Sequence, residues 1–430
     1  MHNPEYLPYR PKKRLWVFIL TGLFIAGLIG GLLLMDPTRV WRALKWRTQI
    51  AATYIRGVLY PVPDLPTPAV AVQPSMEVIT ATPDLPTATP QATATPVYTP
   101  TPTLVPTPIP MQVQLEPPNY DPVRDKQITN NCGPATLALY LRYFGWEGDQ
   151  HDIAELIKPI DKDSNVNVEE LVYFVRTRAG WLNAEFRVGG DLERLKEIIA
   201  VGIPVMIEES FETDRKYRPN DDRWSGHYLL ITGYDDSTGE FMAHDSFDGP
   251  NQKLSYNEVE ESWQSFNHVY IMIYPPEMEG TIQNVLGMDW DADTNRQNAL
   301  EDALAQTQED PNNAYTWFNL GSNMVYFERY NEAAEAYNHA REIGLPQRML
   351  RYQFGPFFAY FHSLQTEELI TLTKYALLIT PASEEAMLWR GWGFYRQGDN
   401  EVAIKYFHDA LKINPLYEDA QNALTFVNGN

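Results

Sequence analysis

The sequence predicts three kinds of structure in series: an N-terminal transmembrane helix, an α+β domain, and an all-α repeat solenoid. A Pro/Thr-rich stalk separates the first from the other two. Three observations carry this prediction. Residues 15–35 are 21 residues without a charge, residues 115–276 alternate between helix-period and strand-period runs, and after residue 295 small and aromatic residues recur at a fixed spacing. At 430 residues and 44% hydrophobic, the chain is long enough to bury two or three separate cores.

The N-terminal span, Leu15 to Met35, follows Arg10, Lys12, Lys13 and Arg14. About twenty apolar residues at the helical rise cross a hydrocarbon core. A cleaved signal peptide has a shorter apolar stretch and an A-x-A-like site, so an uncleaved anchor is expected. The basic cluster sets residues 1–14 on the cytoplasmic side, against the opposing pull of Arg39, Arg42, Lys45 and Arg47 in the membrane-proximal segment 36–60. The reading is a single-pass plasma-membrane protein with its C-terminal domains extracytoplasmic, at the cell surface.

Residues 61–114 form the stalk. Between 61 and 110 there are 14 Pro and 11 Thr. Such a segment buries too little apolar surface to offset its ordering entropy, and its prolines favour extended polyproline II. Thr/Pro stalks of this kind resemble those that hold bacterial surface domains away from the membrane. Charge is divided along the chain: residues 1–60 carry nine bases and two acids, whereas residues 111–430 carry 25 bases and 51 acids. So acidic a body repels nucleic-acid phosphate, and no nucleic-acid partner is expected.

Residues 115–276 carry the chemistry. Cys132 is the only cysteine in the sequence, which excludes an intramolecular disulfide framework and multi-cysteine metal sites. It stands in Asn131-Cys132-Gly133-Pro134-Ala135, ahead of a helix-period run to Phe144, with Asn131 as N-cap and Gly133 and Pro134 in the first turn. A thiol there meets unpaired N–H groups and the positive end of the helix dipole, both of which favour thiolate. The same position also suits a small packed hydrophobe. Downstream, Gly202-Ile203-Pro204-Val205 leads into a buried strand. Ser225 to Asp235 reads as a central strand with His227 at its mouth, and a turn at 236–239 leads to a hairpin partner ending in Asp245. Antiparallel neighbours can bring His227 beside Asp245, and the chain order Cys, His, acid suits a thiol paired with an imidazole that a third group orients.

With these motifs in place, residues 115–276 resemble the papain-like peptidases of family thirty-nine of the cysteine peptidases, best known for removing double-glycine leaders (bacteriocin processing). The matching motifs are N-C-G-P-A with Cys132, G-I-P-V, G-H-Y-L-L-I-T-G-Y with His227, and A-H-D-S with Asp245. The resemblance implies an α+β papain-like fold, with Cys132 as nucleophile, His227 as base and then acid, and Asp245 as the group that orients His227. It also implies Gln127 and the Cys132 amide as oxyanion donors, although Gln127 stands one residue nearer the cysteine than the family pattern. The sequence has no ATP-binding module, so the export role of transporter-fused members does not carry over.

Other polar residues read as structural. His244 should face away from the side that Asp245 faces, because strand side chains alternate. His151 and His268 lack partners in sequence and are expected to be structural or exposed. The run Asp289 to Asp293 hints at a calcium loop but has Thr294 where that loop needs Gly and Leu300 where it needs Glu. Residues 277–294 are therefore read as a solvated acidic linker. Trp224 and Trp263 read as core or cleft-wall aromatics. No metal and no cofactor is expected.

From 295 to 430 the pattern is helical and repetitive. Gly321, Ala333, Tyr337 and Ala340 recur 70 residues later as Gly391, Ala403, Phe407 and Ala410, with a degenerate copy marked by Gly355, Ala376 and Pro381 between them. This resembles the tetratricopeptide repeat, in which small residues let paired helices pack closely. The resemblance implies a protein partner on the repeats. The expected whole is a membrane-anchored thiol peptidase acting on a peptide or protein substrate, with acyl transfer by the same triad, or a non-catalytic surface interaction scaffold, as alternatives.

Overall fold

The computed structural model describes residues 48, 51–59, 61, 63–69, 109–116, 120–158 and 165–429. The expected transmembrane span at 15–35 and most of the stalk lie outside these residues. Among the described residues, no helix is long and apolar enough to cross a membrane. The chain divides into two compact units, one of residues 1–62 with 215–221, the other of residues 63–214 with 222–430. In the first, a helix over 51–59 (α1) lies with the bare Cα of Gly57 against Arg218 and Pro219, where a Cβ would come within 2.7 Å of the Arg218 Cβ.

The second unit holds a mixed α/β domain followed by a helical repeat region. The domain is built on a seven-stranded antiparallel sheet: β1 (Gln112–Gln114), β2 (Asn183–Arg187), β3 (Val205–Glu212), β4 (Trp224–Asp235), β5 (Glu240–Asp245), β6 (Gly249–Ser255) and β7 (Tyr270–Tyr274). The order is β2-β7-β3-β4-β5-β6, with β1 added to β4. β4 is buried along almost its whole length because both of its faces are covered. Against one face packs α2 (Cys132–Tyr143), whose Gly133 sits on the Tyr228 ring; α3 (Gln150–Ile157) and α4 (Val168–Arg178) follow α2. On the other face, Leu229, Ile231 and Phe241 share a core with α5 (Leu192–Ala200), α6 (Tyr256–Trp263) and α7 (Glu279–Leu286), centred on the fully buried Trp263.

Two expected boundaries move. The stalk was expected to run to residue 114, but Gln112–Gln114 is strand β1, paired with Gly233–Asp235. A Cβ on Gly233 would lie 2.6 Å from the Val113 carbonyl, so only glycine lets β1 approach there. Residues 277–294 are not a solvated linker: Ile282 and Leu286 are buried in the domain core, and the acids have structural partners. Asp289 accepts from Arg194 and Asn298, Asp291 caps the next helix through the Thr294 amide, and Asp293 accepts from Tyr326.

The repeat region comprises α8 (Ala292–Glu309), the pairs α9 (Ala314–Tyr326) with α10 (Tyr330–Ile343), α11 (Gly355–His362) with α12 (Thr366–Ile379), and α13 (Glu384–Arg396) with α14 (Asn400–Ile413), and a terminal α15 (Glu418–Gly429). The predicted small residues do the packing expected of them. A Cβ on Gly321 would strike the Tyr337 ring at 2.9 Å, and one on Gly391 the Phe407 ring at 2.5 Å. The middle pair is degenerate because α11 is only eight residues long, and residues 344–354 ahead of it are turned toward the α/β domain.

Candidate active site

Cys132 is the first residue of α2. Asn131 holds the N-cap position, but its side chain does not cap the helix: it donates to Gln150 Oε1 at 2.9 Å, tying the start of α2 to α3. The helix N-terminus is thereby left open beside the thiol. Burial pushes the Cys132 thiol up, but its hydrogen bond with His227, the charges of His227 and Lys158, and a bond from the Gly133 amide outweigh burial and hold it below the ordinary thiol range.

His227 is buried in β4, and its Nε2 lies 2.9 Å from Asp245 Oδ1, which leaves Nδ1 for the thiol. Burial works against the imidazolium, yet the Asp245 carboxylate and the Cys132 sulfur together hold the His227 pKa well above the ordinary range. Burial likewise raises Asp245, but the His227 imidazole and the amides of Phe247 and Asp248 more than reverse it, and Asp245 ends below the usual carboxylate value. The Phe247 amide donates to Asp245 Oδ1 at 2.6 Å. The Phe211 ring lies 5.1 Å from the imidazole, and a cavity of about 200 Å³ opens here between Phe211, His227, Asp245, Phe247, Gln252 and Leu254.

A β-bulge makes the His227–Asp245 meeting possible. Gly233 pairs with Met242 and Ile231 with Ala243, so Thr232 is the extra residue and Asp245 falls opposite Leu229. Residues 227 and 229 share one face of β4, so Asp245 is the diagonal neighbour of His227. Without the bulge Asp245 would pair with Leu230 and face the other side.

The predicted residues sort as follows. Cys132, His227 and Asp245 come together. Gln127 is tied to Ser246, the residue after Asp245: its backbone N–H donates to the Ser246 carbonyl at 2.8 Å, and its Oε1 accepts from Ser246 Oγ at 2.8 Å. With that oxygen committed, the Gln127 Nε2 is the end available to donate elsewhere. His244 is buried opposite Leu230, and among the described residues neither of its ring nitrogens has a hydrogen-bond partner. His151 is exposed beside Asp149, and His268 is buried against Glu260 and Trp263. Trp263 is core, donating to the Val269 carbonyl, whereas Trp224 stacks on Phe266 and meets Tyr352 of the repeat region edge-on.

Two acids in β3 escaped the sequence reading. Glu209 lies opposite His227 and accepts from Ser262 Oγ at 2.6 Å; burial pushes its pKa up to about 7 against the Ser262 bond and the His227 charge. Glu208 lies opposite Tyr228, and burial raises it well above the carboxylate range despite a bond with the Tyr228 hydroxyl. The signal was an acidic pair directly after Val205-Met206-Ile207, inside a strand that is otherwise buried.

The repeat region reaches the same site. Arg351 donates to Asn130 Oδ1, Arg348 donates to the Trp224 carbonyl at 2.7 Å, and the Tyr352 and Ser225 hydroxyls lie 2.8 Å apart. Asn130 precedes Cys132 by two residues, and Ser225 precedes His227 by two.

The Peptidase_C39 like family matches residues 107–271. No curated protein matches the chain. Among solved structures, a C39-like peptidase from Bacillus anthracis aligns at 17% identity over 34% of this chain and 88% of its own, with a TM-score of 0.26. Xylellain, a cysteine protease from Xylella fastidiosa, aligns at 15% identity over 39% of this chain and 87% of its own, with a TM-score of 0.30. MamA aligns at 16% identity over 35% of this chain and 83% of its own, with a TM-score of 0.29.

Proposed function

From the premise that this chain carries a C39-like peptidase domain fused to tetratricopeptide-like helical repeats, we propose that it is a cysteine peptidase acting through Cys132, His227 and Asp245. The observation that supports this most is the placement of Cys132 as the first residue of α2 with His227 Nε2 held 2.9 Å from Asp245 Oδ1; consistent with it, His227 lowers the thiol while Asp245 and Cys132 raise the imidazole.

In this mechanism the Cys132 sulfur attacks the scissile carbonyl carbon, forming a C–S bond and placing negative charge on the carbonyl oxygen. The Cys132 amide and the Gln127 Nε2 donate to that oxygen. His227, protonated and oriented by Asp245, gives its proton to the leaving nitrogen as the C–N bond breaks. The product is a thioester. Water then attacks, losing a proton to the now neutral His227, and the C–S bond breaks to release the acid and restore the thiolate. An amine in place of water would give acyl transfer through the same groups.

The proposal extends to location. The uncharged span at 15–35 and the Pro/Thr-rich segment after it support a single-pass anchor that presents the peptidase outside the membrane. Protease added to intact cells should then remove residues beyond the stalk; full protection would refute this orientation. For the chemistry, a thiol-directed acylating probe applied to the whole chain should label Cys132. Added hydroxylamine should divert the acyl group if transfer competes with hydrolysis.

A further inference from the structure

Residues 63–69, Pro63-Asp64-Leu65-Pro66-Thr67-Pro68-Ala69, belong by composition to the stalk, yet they lie against the repeat region with Leu65 buried. Their backbone is read by two side chains. Arg341, on α10, donates from Nε and Nη2 to the Pro66 carbonyl at 3.0 and 2.7 Å. Glu368, on α12, accepts the Ala69 amide on Oε1 at 2.7 Å.

The two readers are held by each other and by their neighbours. Arg341 Nη1 donates to Glu368 Oε2 and to the Tyr360 hydroxyl, each at 2.8 Å, and Tyr360 donates to Asn338 Oδ1 at 2.7 Å. The Arg341 side chain is 1% exposed. A guanidinium buried to that degree and spread over three helices is a fixed fork, and its two outward donors match a single carbonyl. The ligand side is equally suited. Pro66 and Pro68 lack amide hydrogens and favour polyproline II, so little ordering entropy is lost on docking, and the first free amide after Thr67 is that of Ala69.

The motif occurs twice. Pro63-Asp64-Leu65-Pro66-Thr67 is repeated as Pro83-Asp84-Leu85-Pro86-Thr87, and Thr89 supplies an amide at the position of Ala69. We propose that Arg341 and Glu368 form a peptide-binding site for the Pro-Asp-Leu-Pro-Thr motif, and that the stalk's own two copies are its ligands. Docking in cis holds the stalk back against the repeats. Exchange of the first copy for the second shifts the docking point by 20 residues along the chain.

The test uses the full chain and a fluorescein-labelled peptide spanning residues 62–70. In the parent chain the tethered copies compete at high effective concentration, so free peptide should bind weakly. With Leu65→Asp and Leu85→Asp together, the emptied site should bind the peptide saturably. A peptide with Pro in place of Ala69 loses the amide that Glu368 accepts and should bind about tenfold more weakly to the same protein. Absence of saturable binding to the double variant, equal binding of the two peptides, or parent binding as tight as the double variant's would each overturn the proposal. The readout is peptide binding, so it stands or falls separately from thiol reactivity.

Discussion

Arg351 of the repeat region donates from Nη2 to Asn130 Oδ1 at 3.0 Å, two residues ahead of the candidate nucleophile. Asn130 has a left-handed backbone, φ 56°, so the loop that delivers Cys132 to the start of α2 is bent at the residue the repeats hold. On this geometry the repeat region holds the loop that leads into Cys132.

Arg351→Ala should therefore lower kcat about three- to tenfold with a smaller change in KM, as expected for one hydrogen bond that orients a reacting group. Steady-state kinetics on a peptide substrate checks it. A proportional rise in KM with kcat unchanged would show that Arg351 contributes to binding alone.

The pH profile follows from the displaced groups. Activity should rise as the Cys132 thiolate forms, below the ordinary thiol range, and fall only when His227 loses its proton, above the ordinary imidazole range. Asp245→Asn removes the carboxylate that holds the imidazolium. Its alkaline limb should move to lower pH, and kcat should fall on the order of 100-fold or more. The stability signs agree: the raised His227 contributes fully below its unfolded value of 6.5, and the depressed Asp245 contributes fully above its unfolded value of 3.8. Between those two values the pair stabilises most, and denaturation midpoints of parent and Asp245→Asn should differ most there.

Glu209 has the opposite consequence. Its folded pKa of about 7 lies above the unfolded 4.5, so its contribution is present below pH 4.5 and lost as pH rises through 7. Glu209→Gln should flatten that decline and raise stability above pH 7 by about 3 kcal/mol. Denaturant titrations at several pH values would read it. An unchanged pH dependence would mean that Glu209 is ionised in the folded chain.

The repeat packing gives a purely structural prediction. Gly391→Val places a Cβ about where the Phe407 ring stands, 2.5 Å from its nearest atom, and should cost roughly 1–3 kcal/mol. Phe407→Ala in the same chain should relieve the clash, so the two costs should not add.

How far these features were legible in the sequence depends on whether they are local. The hairpin from Tyr234 to Glu240, the helix start at Cys132 and the spacing of Gly321 with Tyr337 are set by neighbours in the chain, and each was readable. The bulge at Thr232 was not, because it arises from pairing with Met242 and Ala243 and with the added strand β1, and only that pairing fixes Asp245 on the face of His227. The role of Asn131 shifted for a similar reason: Gln150, 19 residues on, offers its amide oxygen, which takes the side chain that would otherwise cap α2. Residues 63–69 looked like solvated stalk because their composition provides no core of its own. Arg341 and Glu368 supply the partners from 275 and 299 residues away.

The most direct measurement on the central claim is labelling of the full chain by a thiol-directed acylating peptidase probe, beside Cys132→Ala, His227→Ala and a chain unfolded in denaturant. The proposed mechanism predicts stoichiometric labelling of the native parent at Cys132, none in Cys132→Ala, and labelling slowed at least about 100-fold in His227→Ala and in the unfolded chain. Equal labelling rates for the native and unfolded parent, or for the parent and His227→Ala, would show an unactivated thiol and contradict it.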